Sequence, residues 1–435
     1  MLRGVLMVGS ASRKTPDNIV GREAVTLFNR RSILAAAAAV TLVAGATAPK
    51  AQAQDIPVGL LLSATGGLAP FTPAIRAAAV LAVNQVNEAG GVLNGRKLRL
   101  VEADDQTNPQ AGVAAANRLV QVDGVVALLG PLGSGITIPV AQTAAIPNGV
   151  VLVTPSATAP AISQLADNDL VFRTVVPDDL QGRVSARVAR EQGLSRVAIM
   201  AVNNDYGRGL QTAFAQAFQQ AGGTVTSQST WEENRASYRS EIAAAAGQGQ
   251  PEALFLVGYP ASGGTTILRQ SLENGFFNRF VLTDGMRDPS VVQAVGGQNL
   301  ARSFGTAGGS AAAPERMENY AAAYRRVNPN ADPSASFAPQ MYDAAMTIAL
   351  AIQKAGSTDR AAIARAMREI ANGPGEVVGP GEFAKAKELL AGGGKINYEG
   401  ASGPIDFDPA GDAAGAIDVW VVRDNQITVQ NTFMR

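Results

Sequence analysis

Four short segments of the 435-residue chain gather side chains suited to holding a small charged molecule. Gly130-Pro131-Leu132-Gly133-Ser134-Gly135 puts flexible glycines and a hydroxyl ahead of a helical stretch, where backbone N–H groups can be presented to an anion. It lacks the glycine-lysine spacing of a nucleotide phosphate loop, and Ser134 lacks the G-x-S-x-G frame of a nucleophilic serine, having Leu132 and Ile136 at the glycine positions. A carboxylate therefore suits this loop as well as a phosphate. Thr154-Pro155-Ser156-Ala157-Thr158-Ala159-Pro160 is stiffened by two prolines. Its Thr158 hydroxyl can donate or accept, and carbonyls near Ser156 can face an ammonium. In Asn203-Asn204-Asp205-Tyr206-Gly207, Asp205 reads as a helix N-cap and Tyr206 as a first-turn residue whose ring can cover a ligand. Tyr259-Pro260 and Asp284-Gly285 follow two further apolar runs, and Asp284 is a single carboxylate suited to pairing with a cation. Each segment has a plainer alternative: a glycine-rich turn, a rigid connector, a core tyrosine or a capping aspartate.

What is missing narrows the chemistry further. The chain has no histidine and no cysteine. That removes the Ser-His-Asp triad, thiolate nucleophiles, disulfides and the usual zinc ligand sets. No second carboxylate is tied to Asp284 by motif, so paired acid–base hydrolysis has no specific support. Asp104-Asp105 has no partner cluster for a metal and reads as turn capping. Basic and acidic residues balance at 36 each, which argues against nucleic acid as a partner. Neither a metal nor a cofactor is expected.

Such loops must be held by strands that end where they begin. Short apolar runs at Val58–Leu62, Leu98–Glu102, Val125–Leu129, Val150–Val153, Val197–Val202, Val225–Ser229, Ala253–Val257 and Phe280–Thr283 read as strands. Amphipathic stretches between them, among them Pro73–Ala89, Pro109–Val122 and Tyr206–Ala221, read as helices. This alternation predicts parallel sheets covered on both faces, and several strands are solidly apolar as such burial requires. The order breaks near Arg173–Pro177 and again after Phe304–Gly309, where the chain turns mainly helical. Two α/β lobes follow, at about 55–176 and 177–308. The C-terminal part returns to the first lobe over about 309–412 and finishes in the second over about 413–435. A Gly/Pro-rich segment, Gly373–Gly403, follows the helical stretch and ends in three β-like pieces, Ile405–Phe407, Ile417–Val422 and Ile427–Phe433. No internal sequence repeat is visible.

Residues 1–53 differ from the rest. Arg3, Arg13, Lys14, Arg22, Arg30 and Arg31 precede an apolar run from Ile33 to Ala48, and Ala51-Gln52-Ala53 offers small residues for cleavage. This is the pattern of an export signal peptide cleaved near Ala53, and the run is short of the about 20 residues of a membrane span. Asn29-Arg30-Arg31-Ser32-Ile33-Leu34 resembles a twin-arginine signal; an ordinary signal with two adjacent arginines is the alternative. Beyond residue 53 the balance is 29 basic against 34 acidic residues, a net charge of −5.

Taken together, the chain beyond residue 53 resembles the periplasmic binding proteins of ABC importers, in the leucine/isoleucine/valine-binding branch. The resemblance rests on Val58-Gly59-Leu60-Leu61-Leu62-Ser63-Ala64-Thr65-Gly66, on Asn87-Glu88-Ala89-Gly90-Gly91-Val92-Leu93-Asn94-Gly95-Arg96-Lys97-Leu98, on the loop from Thr154 to Pro160, on Asp205-Tyr206-Gly207 and on Gly400-Ala401-Ser402-Gly403-Pro404-Ile405-Asp406-Phe407-Asp408. It implies a type I periplasmic binding protein fold: two Rossmann-like α/β lobes joined by a hinge, closing on a ligand. It implies a periplasmic, monomeric receptor that hands an amino acid, branched-chain or otherwise apolar, to an inner-membrane permease and catalyses nothing. Ser134, with backbone N–H groups near Ser134 and Thr158, would hold the α-carboxylate. The Ser156 carbonyl, the Ala157-Thr158 segment with its hydroxyl, and Asp284 would hold the ammonium. Tyr206, Tyr259 and Phe71 would line the side-chain pocket. An amide, urea or aromatic acid is the alternative ligand, and an exported hydrolase the alternative class. Asp284 stands where the family often has Glu, and Phe71 where Tyr or Trp is common.

Overall fold

The computed structural model describes residues 54–434; the basic and apolar segment read above as an export signal lies outside them. The first sheet is built from β1 (Ile56–Leu62), β2 (Leu98–Asp104), β3 (Ala127–Leu129), β4 (Val151–Thr154) and β5 (Val171–Arg173), all parallel, in the order β2-β1-β3-β4-β5. β3, β4 and β5 are buried throughout, which is why they read as unbroken apolar runs. Between these strands run α1 (Thr72–Glu88), α2 (Pro109–Asn117) and α3 (Ser134–Val140). α1 buries Ile75, Ala78, Ala79, Ala82, Val83 and Val86, the three-and-four spacing that turns one helical face to the core.

The chain then builds a second sheet. α4 (Asp178–Glu191) leads into β6 (Arg196–Val202), α5 (Asp205–Gln220), β7 (Thr224–Trp231), α6 (Arg239–Ala246), β8 (Ala253–Val257), α7 (Thr265–Glu273) and β9 (Phe280–Leu282). α8 (Pro289–Val295) and α9 (Gly297–Leu300) precede β10 (Phe304–Gly309). The order β7-β6-β8-β9-β10 repeats the β2-β1-β3-β4-β5 order of the first sheet. Two copies of one topology thus stand in a chain whose sequence shows no repeat, because burial constrains the pattern and not the residue identities.

After β10 the chain returns to the first sheet. α10 (Pro314–Val327) packs on α1, α11 (Ala338–Ala355) lies against α1, β3 and β4, and α12 (Arg360–Ala371) packs on α11 and β4. The Gly/Pro-rich segment holds a small βαβ unit: β11 (Glu376–Val378), α13 (Phe383–Ala391) and β12 (Ile396–Tyr398), with the strands parallel. Ile405–Phe407 forms no strand, only isolated bridges at Pro404 and Phe407. The chain then ends on the second sheet with β13 (Ala416–Arg423) and β14 (Gln426–Met434), an antiparallel hairpin turned by Asp424-Asn425, both at positive φ. Among the described residues no helix is long and apolar enough to cross a membrane.

Candidate functional site

Both sheets deliver their candidate residues from the carboxyl ends of neighbouring strands, the place where open α/β sheets bind ligands. From the first sheet, β1 leads to Phe71 at the start of α1, β3 leads to Ser134, and β4 leads to the Ser156–Thr158 loop. From the second, β6 leads to Tyr206, β8 to Tyr259 and β9 to Asp284. A cleft joins the two sets, lined by Leu68, Phe71, Ile75, Leu132, Gly133, Ser134, Ser156, Tyr206, Tyr259, Asp284, Gly285 and Phe337.

The turn to Ser134 depends on one glycine. Gly130 sits at φ +86, and a Cβ there would fall 2.1 Å from the Leu61 carbonyl oxygen of the adjacent strand. Ser134 itself is buried; its Oγ accepts from the Ala159 N–H at 3.1 Å, so its proton is left to donate elsewhere. The Ser156 hydroxyl is spent on the Leu132 carbonyl at 2.9 Å. Ala157 faces away from the cleft: its N–H goes to the Thr154 hydroxyl and its carbonyl accepts from Arg173. The Thr158 hydroxyl is buried beside the Asp178 carboxylate, and its carbonyl accepts from the Asp178 N–H.

On the opposite wall, Asp284 is 3 % exposed. Its Oδ1 accepts from the Tyr206 hydroxyl at 2.6 Å and from Gln181 Nε2 at 2.9 Å. The Tyr206 and Tyr259 rings stack at 5.5 Å between centroids. Gly285 lets the loop pass under them, since a Cβ there would lie 2.5 Å from the Gly258 carbonyl oxygen. The N-cap of α5 is Asn204, whose side chain accepts from the Gly207 N–H, and not Asp205, which forms an ion pair with Arg208 near the surface. With two capping-type residues in succession, the cap falls one position earlier than the sequence reading placed it, and Tyr206 remains in the first turn.

Three residues of the site were not visible in sequence. Asp178, the first residue of α4, is fully buried, with the Thr158 hydroxyl beside its carboxylate. Burial and then the charge of Asp284 push its carboxyl well above the usual range. Burial pushes Asp284 up as well, opposed by the hydrogen bonds from Tyr206 and Gln181. Tyr206 is raised by burial and by the Asp284 charge, so the phenol keeps its proton and donates. Phe337 meets Phe71 edge-on at 6.0 Å and closes the apolar end of the cleft from a left-handed backbone, φ +69, that a bulky residue rarely adopts. Gln181, one turn beyond Asp178, is the third. The Pro177-Asp178-Asp179 start of α4 was a usable signal for Asp178: acidic residues in a first turn, directly after the crossing from the first sheet to the second.

The cleft thus has opposed ends. One end presents the Asp284 carboxylate, with the buried Asp178 carboxylate close enough to feel its charge and the Thr158 hydroxyl beside Asp178; the other is walled by Leu68, Phe71, Ile75, Leu132 and Phe337. Among the described residues no group of three or more His, Cys, Asp or Glu side chains is arranged to hold a metal ion. The sequence profile of the periplasmic binding protein family matches residues 55–422. The chain belongs to this family. It is 31% identical over 319 residues to a Leu/Ile/Val-binding protein homolog of Brucella melitensis, covering 72% of this chain and 83% of that one. It is 31% identical over 337 residues to the leucine-, isoleucine-, valine-, threonine- and alanine-binding protein of Pseudomonas aeruginosa, covering 76% and 86%. A leucine-binding protein from Thermotoga maritima matches in structure with a TM-score of 0.74 at 24% identity, covering 87% of this chain and 99% of that one. As a periplasmic binding protein, the chain has its cleft between the strand-end loops of its two sheets.

Proposed function

We propose that this periplasmic binding protein is the receptor of an ABC importer for an apolar α-amino acid of the branched-chain type. The observation that carries the reading is the pairing of opposite chemistries in one cleft. Asp178, Asp284 and the Thr158 hydroxyl offer charge and acceptors to an ammonium, while Ser134 keeps a free proton for a carboxylate. Each end of a zwitterion must be paired once water is excluded, and here both signs are met within one small cavity. The apolar far wall suits a short hydrocarbon side chain. The relative named as a leucine-, isoleucine-, valine-, threonine- and alanine-binding protein supports the same ligand class.

Ligand and closure are one event in this reading, because the carboxylate partner comes from the first sheet and Asp284 from the second. The lobes are 55–176 with about 309–412, and 177–308 with about 413–435. The protein works as a monomer, docks on an inner-membrane permease and performs no chemistry on its ligand. Residues 1–53 direct export and are removed near Ala53. A thermal-shift screen of the amino acids tests the ligand class. Binding raises apparent stability by about 2.7 kcal/mol at 100 times the dissociation constant, so leucine, isoleucine or valine should shift the transition and glutamate should not.

A further inference from the structure

The strand-end loop from Thr154 to Pro160 has its own clamp. Arg173, the last residue of β5, is completely buried. Its Nε donates to Asp412 Oδ1 at 2.6 Å, its Nη1 to the carbonyls of Ala157 at 3.3 Å and Ala159 at 3.0 Å, and its Nη2 to the Ser163 hydroxyl. Ser163 in turn donates to Asp412 Oδ2 at 2.8 Å. The backbone repeats the link: Arg173 N–H donates to the Gly411 carbonyl, and Ala413 N–H to the Arg173 carbonyl. One guanidinium therefore joins the ligand-facing loop, the first crossing between the sheets and the segment 411–413 that leads into the last crossing.

The consequence for the loop follows from peptide geometry. A trans peptide points its C=O and N–H in opposite directions. With the Ala157 carbonyl drawn to Arg173, the N–H of the same peptide, that of Thr158, points the other way, and it has no acceptor among the described residues. The flanking groups are held by others, the Ala157 N–H by the Thr154 hydroxyl, the Thr158 carbonyl by the Asp178 N–H and the Ala159 N–H by Ser134, so the Ala157 carbonyl itself is held by Arg173.

We infer that Arg173, fixed by Asp412 and Ser163, is a positioning residue that aims the Thr158 N–H at the carboxylate of the bound amino acid. The inference rests on the amino-acid reading above. It predicts that the clamp acts on recognition of the carboxylate and not on binding in general. A lysine in place of Arg173 keeps the charge facing Asp412 but cannot fork to two carbonyls.

The test compares wild type, Arg173→Lys and Ser163→Ala by calorimetric titration with leucine and with leucinamide, which lacks the carboxylate. The Thr158 amide proton is followed by NMR in the same titrations. In wild type, leucine should move that resonance downfield and leucinamide should not. In either variant, leucine affinity should fall about tenfold, as for one charge-assisted hydrogen bond, with a smaller loss for leucinamide and a reduced Thr158 shift. Ser163→Ala keeps the buried ion pair, so it answers the question if Arg173→Lys does not fold. Equal losses for both ligands, or an unchanged Thr158 shift in Ser163→Ala, would overturn the inference while leaving the amino-acid reading intact. A wild type that binds neither compound would overturn that reading as well.

Discussion

The Tyr206 hydroxyl donates to Asp284 Oδ1 at 2.6 Å, linking the first turn of the helix after β6 to the loop after β9. β8 lies between those two strands in the sheet and contributes Tyr259, which stacks on Tyr206. The tyrosine is thus both a wall of the cleft and, with Gln181, a donor that opposes the upward push of burial on the Asp284 carboxyl. Tyr206→Phe retains the wall and removes the donor. Hydrogen bonds to charged groups contribute about 1.5–3 kcal/mol, so leucine affinity should fall by about tenfold or more. The pH below which binding fails should also move upward, as titrations across pH will register.

Protons and ligand compete for the same oxygens. Asp178 and Asp284 both hold protons at higher pH than an exposed aspartate, through burial first. An ammonium needs the deprotonated forms, so binding should release protons and weaken as pH falls into the raised range of this pair. Calorimetry in two buffers of different ionisation enthalpy measures the release directly. A heat of binding that is independent of buffer, with a flat pH profile, would separate these carboxylates from the ligand.

Ser134→Ala removes the hydroxyl whose proton faces no internal acceptor. Leucine should bind about tenfold more weakly or worse, with folding stability changed little compared with a core truncation. Unchanged affinity by titration would take Ser134 out of the site.

Asp343 offers a stability test away from the ligand. It is fully buried at the segment 401–402, taking the Ala401 N–H on one oxygen, the Ser402 N–H and hydroxyl on the other, and the Tyr398 hydroxyl at 2.8 Å. Burial pushes its carboxyl up to about 6. The native state therefore binds this proton more tightly than the unfolded chain, and the resulting stability declines as pH rises through about 6. Asp343→Asn turns an amide N–H toward a backbone N–H and should lower unfolding stability by about 1–3 kcal/mol in denaturant titrations at neutral pH. The pH dependence near 6 should shrink in the same variant.

The strand-end residues were legible because chain order and spatial order coincide there. In a parallel sheet with helices on both faces, an apolar run followed by Gly, Ser, Thr or Asp marks a loop on the binding edge, and Ser134, Thr158, Tyr206, Tyr259 and Asp284 all follow such runs. Asp178 and Gln181 escaped because the strand that leads to them, β5, has only three residues and was not among the apolar runs read as strands. Phe337 escaped because Ser336-Phe337-Ala338 carries no turn residue to announce a positive φ. The βαβ unit of β11, α13 and β12 escaped because its strands have three residues each and its surrounding glycines read as loop.

The most direct test of the account is whether the cleft demands a zwitterion. Leucine, 4-methylpentanoate and 3-methylbutylamine share one hydrocarbon and differ in which charged end they keep. Truncating one member of a buried charge pair costs about 3–5 kcal/mol, or some two to three decades in affinity. Parallel calorimetric titrations of the wild-type protein should therefore give tight binding for leucine and weakening of at least a hundredfold for each of the others. Binding of 4-methylpentanoate as tight as that of leucine would contradict the account, since Asp178 and Asp284 would then face no ammonium.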